Sequence, residues 1–367
     1  MEAKIFLERT GVVCLSFVLT LILCVIVVCI AVRINSSGKP VQYEDENGAE
    51  VRGSIAEKGF LPVNGKNLGY IIKSKNERNP VLLYLHGGMP DYFLTELYPT
   101  GLDDLFTVVW LEQRGSGLSY DPKHADAKIS LDDLIADTKA VTDYLRERFG
   151  QDKIYLMGHS GGTYLAVKTV QTYPELYNAY IAVAQVTNQK LSELKAYEYI
   201  LEQYRNTPAR KKQYEKLEEH PVTLDALLPD AYLKLRDKAM HELGVGTMRD
   251  MTDIVTGIVI PSLFFSEYTV KEKVNLWKGK MHSGVGVLWT EMLSHDLMQE
   301  NTDFKIPVYF LHGVYDYTCS YELAKEYFDA ISAPRKGFYT FNNSAHSPIF
   351  EEPQECVQTI KALILPR

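Results

Sequence analysis

Lys153-Ile154-Tyr155-Leu156-Met157-Gly158-His159-Ser160-Gly161-Gly162-Thr163 is the stretch whose reading decides the fold of this chain. Its first half is an apolar run of strand length. Its second half is a cluster of small residues, and from Thr163 onward (TYLAVKTV) apolar side chains recur at helical spacing. A strand that turns into a helix through G-x-S-x-G presents the serine hydroxyl above the sheet, because small neighbours let the two backbones approach closely. The helix N-terminus behind the serine favours developing negative charge. Ser160 is therefore the expected nucleophile. The five residues alone would also suit an ordinary turn; the strand before and the helix after separate the two readings.

Outward from this turn, short apolar runs recur at residues 81–86, 107–112, 179–186, 308–312 and 337–341, with helical patterns between them. Continuous β-branched runs suit strands buried on both faces of a largely parallel sheet. Residues 131–149 carry apolar side chains at helical spacing and stop at Gly150, as a capped crossover helix should. Asn64-Gly65 between two extended runs predicts a hairpin at the start of the domain. From about 187 to 301 the strand rhythm gives way to helical patterns, which reads as a helical cap inserted in the sheet domain. Its stripe of Met248, Met251, Ile254, Val255, Ile258 and Val259, ending at Pro261, is expected to pack on the cap's own core rather than to line a pocket.

A nucleophilic serine needs a base and a group that orients the base, in the chain order Ser, Asp or Glu, His. Asp316 follows the run at 308–312, in the loop where such a carboxylate belongs; the competing reading is a simple turn Asp. Of the nine histidines, only His346 has both the order and a loop beyond a strand, and it is the expected general base. An oxyanion hole requires two backbone N–H groups. The amide of Gly161 supplies one, and His86-Gly87-Gly88 supplies the other, Gly88 before Gly87.

The 367 residues are 46% hydrophobic and 23% charged, which excludes a disordered or fibrous chain. A net charge of −8 gives no basic field for a nucleic-acid partner. There is no His-Glu-x-x-His and no Cys-x-x-Cys, so neither metal nor cofactor is expected. Cys319 and Cys356 read as two separate thiols. Near the N-terminus the run from Gly11 to Val32 carries no charge and exceeds the about 20 residues that cross a bilayer as a helix. An uncleaved anchor is expected over a signal peptide, whose apolar stretch is shorter. The domain plan is thus an anchor at 11–32, a solvated linker at 33–51, a core at 52–186, the cap at 187–301 and the second core part at 302–367, with the catalytic part expected outside the cytoplasm.

Trp110-Leu111-Glu112-Gln113-Arg114-Gly115-Ser116-Gly117-Leu118-Ser119, with HGG at 86–88 and GHSGG at 158–162, resembles the prolyl aminopeptidase (proline iminopeptidase) family of the α/β-hydrolase superfamily. The resemblance implies an α/β-hydrolase fold with an inserted helical cap, a serine hydrolase with Ser160 as nucleophile, Asp316 as orienter and His346 as base, and a structural role for Arg114. It also implies a short-peptide or other small-molecule substrate. Met89-Pro90-Asp91 stands where the family usually has Pro-Gly after HGG, and Gly161 stands where it usually has Trp. An aminopeptidase would also need cap carboxylates for the substrate amine; Glu215, Glu218, Glu219 and Glu267 are available. A carboxylesterase on the same machinery, or a ligand-binding protein on the same fold, are the alternatives.

Overall fold

The strands β1 (Ile55–Val63) and β2 (Lys66–Ser74) pair antiparallel around Asn64 and Gly65, whose φ values of 46° and 74° give the left-handed backbone that a tight hairpin needs at both positions. Six further strands follow: β3 (Val81–Leu85), β4 (Thr107–Leu111), β5 (Ile154–His159), β6 (Tyr177–Val183), β7 (Val308–Gly313) and β8 (Lys336–Phe341). All eight form one sheet in the order β1-β2-β4-β3-β5-β6-β7-β8, parallel from β4 to β8. This computed structural model describes residues 2–124, 128–282 and 286–365. Residues 283–285 of the expected cap and 366–367 of the expected second core part lie outside the described residues.

The alternation along β3 explains why its sequence is apolar throughout. Val81, Leu83 and Leu85 pack into one core layer, while Leu82 and Tyr84 pack into the opposite one. Both faces are covered, so no position is left for a polar side chain. The first layer includes Leu134, Val141 and Leu145 of helix α2 (Leu131–Phe149) and Tyr164 of helix α3 (Gly161–Thr172); α1 is the N-terminal helix described below. Helix α2 starts on a capping box between Ser130 and Asp133 and ends at Gly150 in the left-handed region, φ 61°.

Between β6 and β7 the chain is helical: α4 (Gln189–Arg205), α5 (Lys211–Glu219), α6 (Asp230–Glu242), a π-helical turn (Val255–Val259) running into α7 (Ile260–Phe264), α8 (Val270–His282) and α9 (Gly286–Ser294). The cap has its own core around Tyr197, Leu217 and Tyr232. The apolar stripe does not join it. Met248 and Met251 are buried in the layer that holds Tyr84 and Trp110, Ile254 and Ile258 face the central cavity, and Val255 is 54% exposed. Met248 and Met251 precede the helix in irregular chain, and the π-turn begins only at Val255, so the stripe is not one helical face and is spread over three environments.

The N-terminal helix α1 (Glu2–Ile34) contains, at Val13–Ile34, a segment long and apolar enough to cross a membrane. The stretch after it, read from sequence as a solvated linker, is mostly exposed but tied to the domain. Ser37 Oγ donates to the carbonyl of Ser266 (2.9 Å), the Val41 amide donates to Glu267 Oε1 (2.9 Å), and Glu44 and Glu50 form a small antiparallel bridge.

Candidate active site

Ser160 stands between the end of β5 and the first turn of α3 at φ 55° and ψ −127°. Such a backbone costs an L-residue about 1–3 kcal/mol and persists only where its surroundings over-determine it. Here the Ser160 amide donates to Val183 of β6 (3.0 Å), and the Ser160 carbonyl accepts from the amide (2.8 Å) and hydroxyl (2.6 Å) of Thr163. The turn also requires close approach: a Cβ on Gly162 would lie 2.1 Å from the Leu85 carbonyl oxygen of β3.

Asp316 and His346, from the loops after β7 and β8, meet beside this turn. His346 Nδ1 is 2.9 Å from Asp316 Oδ2. The other oxygen, Oδ1, accepts from the amides of Thr318 (2.8 Å) and Cys319 (2.9 Å), which fixes the carboxylate plane. Burial pushes the Asp316 carboxyl up, but the charge of His346 and the hydrogen bonds from His312 and His346 outweigh it, and the group stays well below the usual carboxylate range. For His346 burial wins over the attraction of Asp316, and its pKa falls below that of an exposed imidazole. The ring is thus neutral at pH 7.

A second carboxylate–histidine pair supports the first. His159 Nδ1 lies 2.9 Å from Asp91 Oδ2, and its Nε2 lies 3.0 Å from the carbonyl oxygen of His346. Tyr84 donates to the same Asp91 oxygen (2.6 Å). Both His159 partners are acceptors, so the imidazolium satisfies both. Burial lowers the His159 pKa, the hydrogen bond and charge of Asp91 raise it more, and the net shift is upward. Sequence reasoning placed His159 in the elbow and Asp91 among the departures from family pattern, and missed that they meet. Their 68-residue separation leaves no local signal.

The glycine loop lies against the serine. A Cβ on Gly87 would sit 2.7 Å from Ser160 Cβ and 3.0 Å from its Oγ. His86 holds this loop: its Nδ1 is 3.0 Å from the Gly87 carbonyl, its Nε2 accepts from the Gln113 amide (3.1 Å), and Gln113 Nε2 donates to the His86 carbonyl (2.6 Å). Burial lowers the His86 pKa to about 4, which leaves the neutral form that this pattern needs. Arg114 turns away and grips Asp137 of α2 with Nε and Nη2, both at 2.7 Å. It braces the loop on a helix and does not line the central cavity.

Gly88, Ser160, Gly161 and His346 share a cavity of about 400 Å³ roofed by the cap. Much of its wall is apolar, including Leu94, Met240, Ile258, Leu288, Trp289 and Met292. Besides histidines, its lining residues with ionisable acidic or basic side chains include Asp91, Arg236, Asp237 and Lys280, with Lys280 Nζ 3.2 Å from the Gly88 carbonyl. The Cys319 thiol, also in the wall and missed from sequence, lies 3.9 Å from Gln189 Oε1. None of the four glutamates considered for amine binding is in this cavity. Glu215, Glu218 and Glu219 are exposed on α5, and Glu267 is buried elsewhere against Tyr92 and Val41. Cys319 and Cys356 are both buried free thiols.

Residues 80–353 match the family model described as alpha/beta hydrolase fold. The chain belongs to that family. Among its relatives, this hydrolase is 30% identical over 310 residues to the probable aminopeptidase YbaC of Bacillus subtilis, across 84% of this chain and 96% of that one. It is 25% identical to a proline iminopeptidase of Saccharolobus solfataricus, covering 84% and 92% of the two chains. A solved structure of a proline iminopeptidase-related protein from Thermus thermophilus superposes with a TM-score of 0.57 at 20% identity, covering 84% of this hydrolase and 99% of that chain.

Proposed function

We propose that this hydrolase cleaves carboxylic acyl substrates through an acyl-enzyme on Ser160. The observation that carries the reading is the pair His346–Asp316, hydrogen-bonded at 2.9 Å, in one cavity with a serine held in a strained strand-to-helix turn. His346, neutral at pH 7, takes the proton of Ser160 Oγ as that oxygen attacks the acyl carbon. The imidazolium so formed is stabilised by Asp316. The anionic tetrahedral oxygen is received by the backbone amides of Gly161 and of Gly88, or Gly87 beside it. Collapse expels the leaving group, which takes the proton back from His346; water then repeats the sequence on the acyl-enzyme. Epoxide opening by a covalent route would need a carboxylate where Ser160 stands.

The cavity favours an acyl ester. Its wall is largely apolar, Asp91 is engaged through Oδ2 by His159 and Tyr84, and Asp237 is engaged by Arg236 (2.7 Å). The likeness to YbaC and to the proline iminopeptidases favours a second reading, release of a small or prolyl N-terminal residue from a peptide. In that case the carboxylate oxygens available to the substrate amine are Asp91 Oδ1, which has no hydrogen-bond partner among the described residues, and those of Asp237, whose side chain is 65% exposed.

The test is a hydrolysis panel on the full chain with short acyl esters, free-amine prolyl and alanyl amides, and their N-acetylated forms. Esters cleaved and amides untouched is the expected result; cleavage of free-amine amides alone selects the aminopeptidase. Ser160→Ala should lose at least about 10³-fold in activity and all labelling by a fluorophosphonate. A variant as active as the parent overturns the mechanism, and a folded parent that never labels points to ligand binding without catalysis.

A further inference from the structure

The end of α1 is clamped to the helices that wall the cavity. Lys273 of α8 is buried, and its Nζ donates to the carbonyl of Asn35 and the hydroxyl of Ser36, both at 2.7 Å. The Gly38 amide donates to the Ser266 carbonyl (3.2 Å), and α1 packs against α7. Helices α7 and α8 are joined by Trp277 Nε1, which donates to Ser262 Oγ (3.0 Å). The pair is therefore fixed within a few residues of the point where the apolar segment ends.

The same helices expose apolar side chains. On α8, Val270, Val274 and Met281 are 41%, 47% and 71% exposed. Their spacing, with Trp277 between, puts them on one stripe. Val255 and Ile260, at 54% and 44%, continue the apolar surface along the π-turn and α7. Lys271 and Lys278, both exposed, flank the stripe on α8. Apolar stripe and lysine flanks together are the composition of a helix that lies in a membrane interface. Ile254 and Ile258 of the π-helical region, with Trp277 and Lys280 at the edge of the α8 stripe, line the catalytic cavity. One wall thus has the acyl-binding cavity behind it and, among the described residues, an exposed apolar face in front of it.

We propose that this face, formed by 254–264 and 270–282, lies in the surface of the bilayer that holds α1, and that the substrates are acyl esters resident in that bilayer. The proposal rests on the reading of Val13–Ile34 as a retained anchor and on the serine acyl-hydrolase reading of the cavity. The occupant is lipid because the chain itself delivers the face there: the clamp at Asn35 and Ser36 leaves no linker that would let the cap stand off from the membrane.

The experiment uses the full chain in nanodiscs of phosphatidylcholine and phosphatidylglycerol that contain a diazirine phosphatidylcholine. After photolysis, lipid adducts are expected on peptides covering 254–264 and 270–282 as well as on the anchor. Adducts confined to the anchor overturn the proposal, as does finding the face covered by a second copy of the chain. Hydrolysis is then compared for a long-chain monoacyl ester in the disc and a short water-soluble ester. The variant Val255→Asp/Val274→Glu should lose about tenfold on the first and stay within about twofold on the second, since only interfacial burial is disturbed. Equal loss on both, or loss on neither, overturns the route from the bilayer. Failure of the parent on both esters, with adducts on the cap, sinks the acyl-hydrolase reading and the substrate class while leaving the membrane contact standing. Mass spectrometry that finds the chain starting beyond residue 34 sinks the anchor reading and the proposal with it.

Discussion

The Nε2 of His159 lies 3.0 Å from the carbonyl oxygen of His346, so the histidine next to Ser160 holds the backbone of the expected base. Asp91 holds His159 in turn, at 2.9 Å. The His346 ring is thus fixed from two directions, by Asp316 at Nδ1 and by His159 through the main chain, with the two imidazole centroids 5.1 Å apart. A positive charge on His159 also opposes early protonation of His346, whose shift it deepens.

Asp91→Asn tests this support. The amide keeps the shape but weakens the pull on His159, so kcat is expected to fall about tenfold with little change in KM, because a positioning residue acts through another group. A readout that packing alone would not move is the pH dependence of Tm. His159 has a raised folded pKa, so its pairing stabilises the fold below the unfolded pKa, near 6.5, and the benefit is lost as pH rises through the raised value. Asp91→Asn should flatten Tm in that window. An unchanged profile overturns the role.

Asp316→Asn should be far more damaging. The Asn side chain accepts and donates in the wrong places for His346 Nδ1–H, and kcat is expected to drop on the order of 10³–10⁴-fold while the fold is retained. In the parent, kcat/KM should rise with pH as His346 loses its proton, with a midpoint below the 6.5 of an exposed imidazole, since burial lowers its pKa. A midpoint above 6.5 would contradict the environment described for the ring.

The parts of this site that a reader of the sequence finds are those fixed by a local rule. Ser160 follows from a strand, a turn of small residues and a helix; His346 and Asp316 follow from loops placed after strands in the required order. What the sequence hides depends on contacts without local signal. Asp91 meets His159 across 68 residues, and Cys319 joins Ser160 in the wall of one cavity from a different loop. Ile254 and Ile258, four residues apart, share one helical face, but periodicity cannot tell that this face meets the cavity and not the cap's own core. The same limit applies to the four glutamates: their charge was legible, but their distance from the cavity was not.

Arg114 carries a prediction about stability. Its fork on Asp137 is part-buried, with the carboxylate side chain 4% exposed and also accepting from Asn64 Nδ2 at 2.9 Å. Arg114→Met leaves that carboxylate without its cation and should cost about 2 kcal/mol in urea denaturation, below the fully buried range because the guanidinium is partly solvated. Arg114→Met/Asp137→Leu should recover most of the loss. A double variant as unstable as the single one would place the effect in the loop itself.

Glu112 makes the opposite kind of prediction. It is buried beneath Tyr268, which donates to Oε1, while the Leu118 amide donates to Oε2. Burial outweighs both hydrogen bonds and raises its pKa from 4.5 to about 7. Between those values the folded chain binds the proton and the unfolded chain does not, so this group's contribution to stability declines as pH rises from about 4.5 to about 7. Glu112→Gln removes the titration while keeping the shape of the protonated acid. Relative to the parent, the variant should therefore gain stability as pH is raised from 5 to 8, by on the order of 1–3 kcal/mol. The comparison is made at matched pH because Glu351, also raised to about 7 by burial, adds the same slope to both proteins and His346 adds the reverse slope below 6.5. A difference that stays constant with pH would mean that Glu112 keeps its charge throughout, held by Tyr268 and Leu118 against the cost of burial.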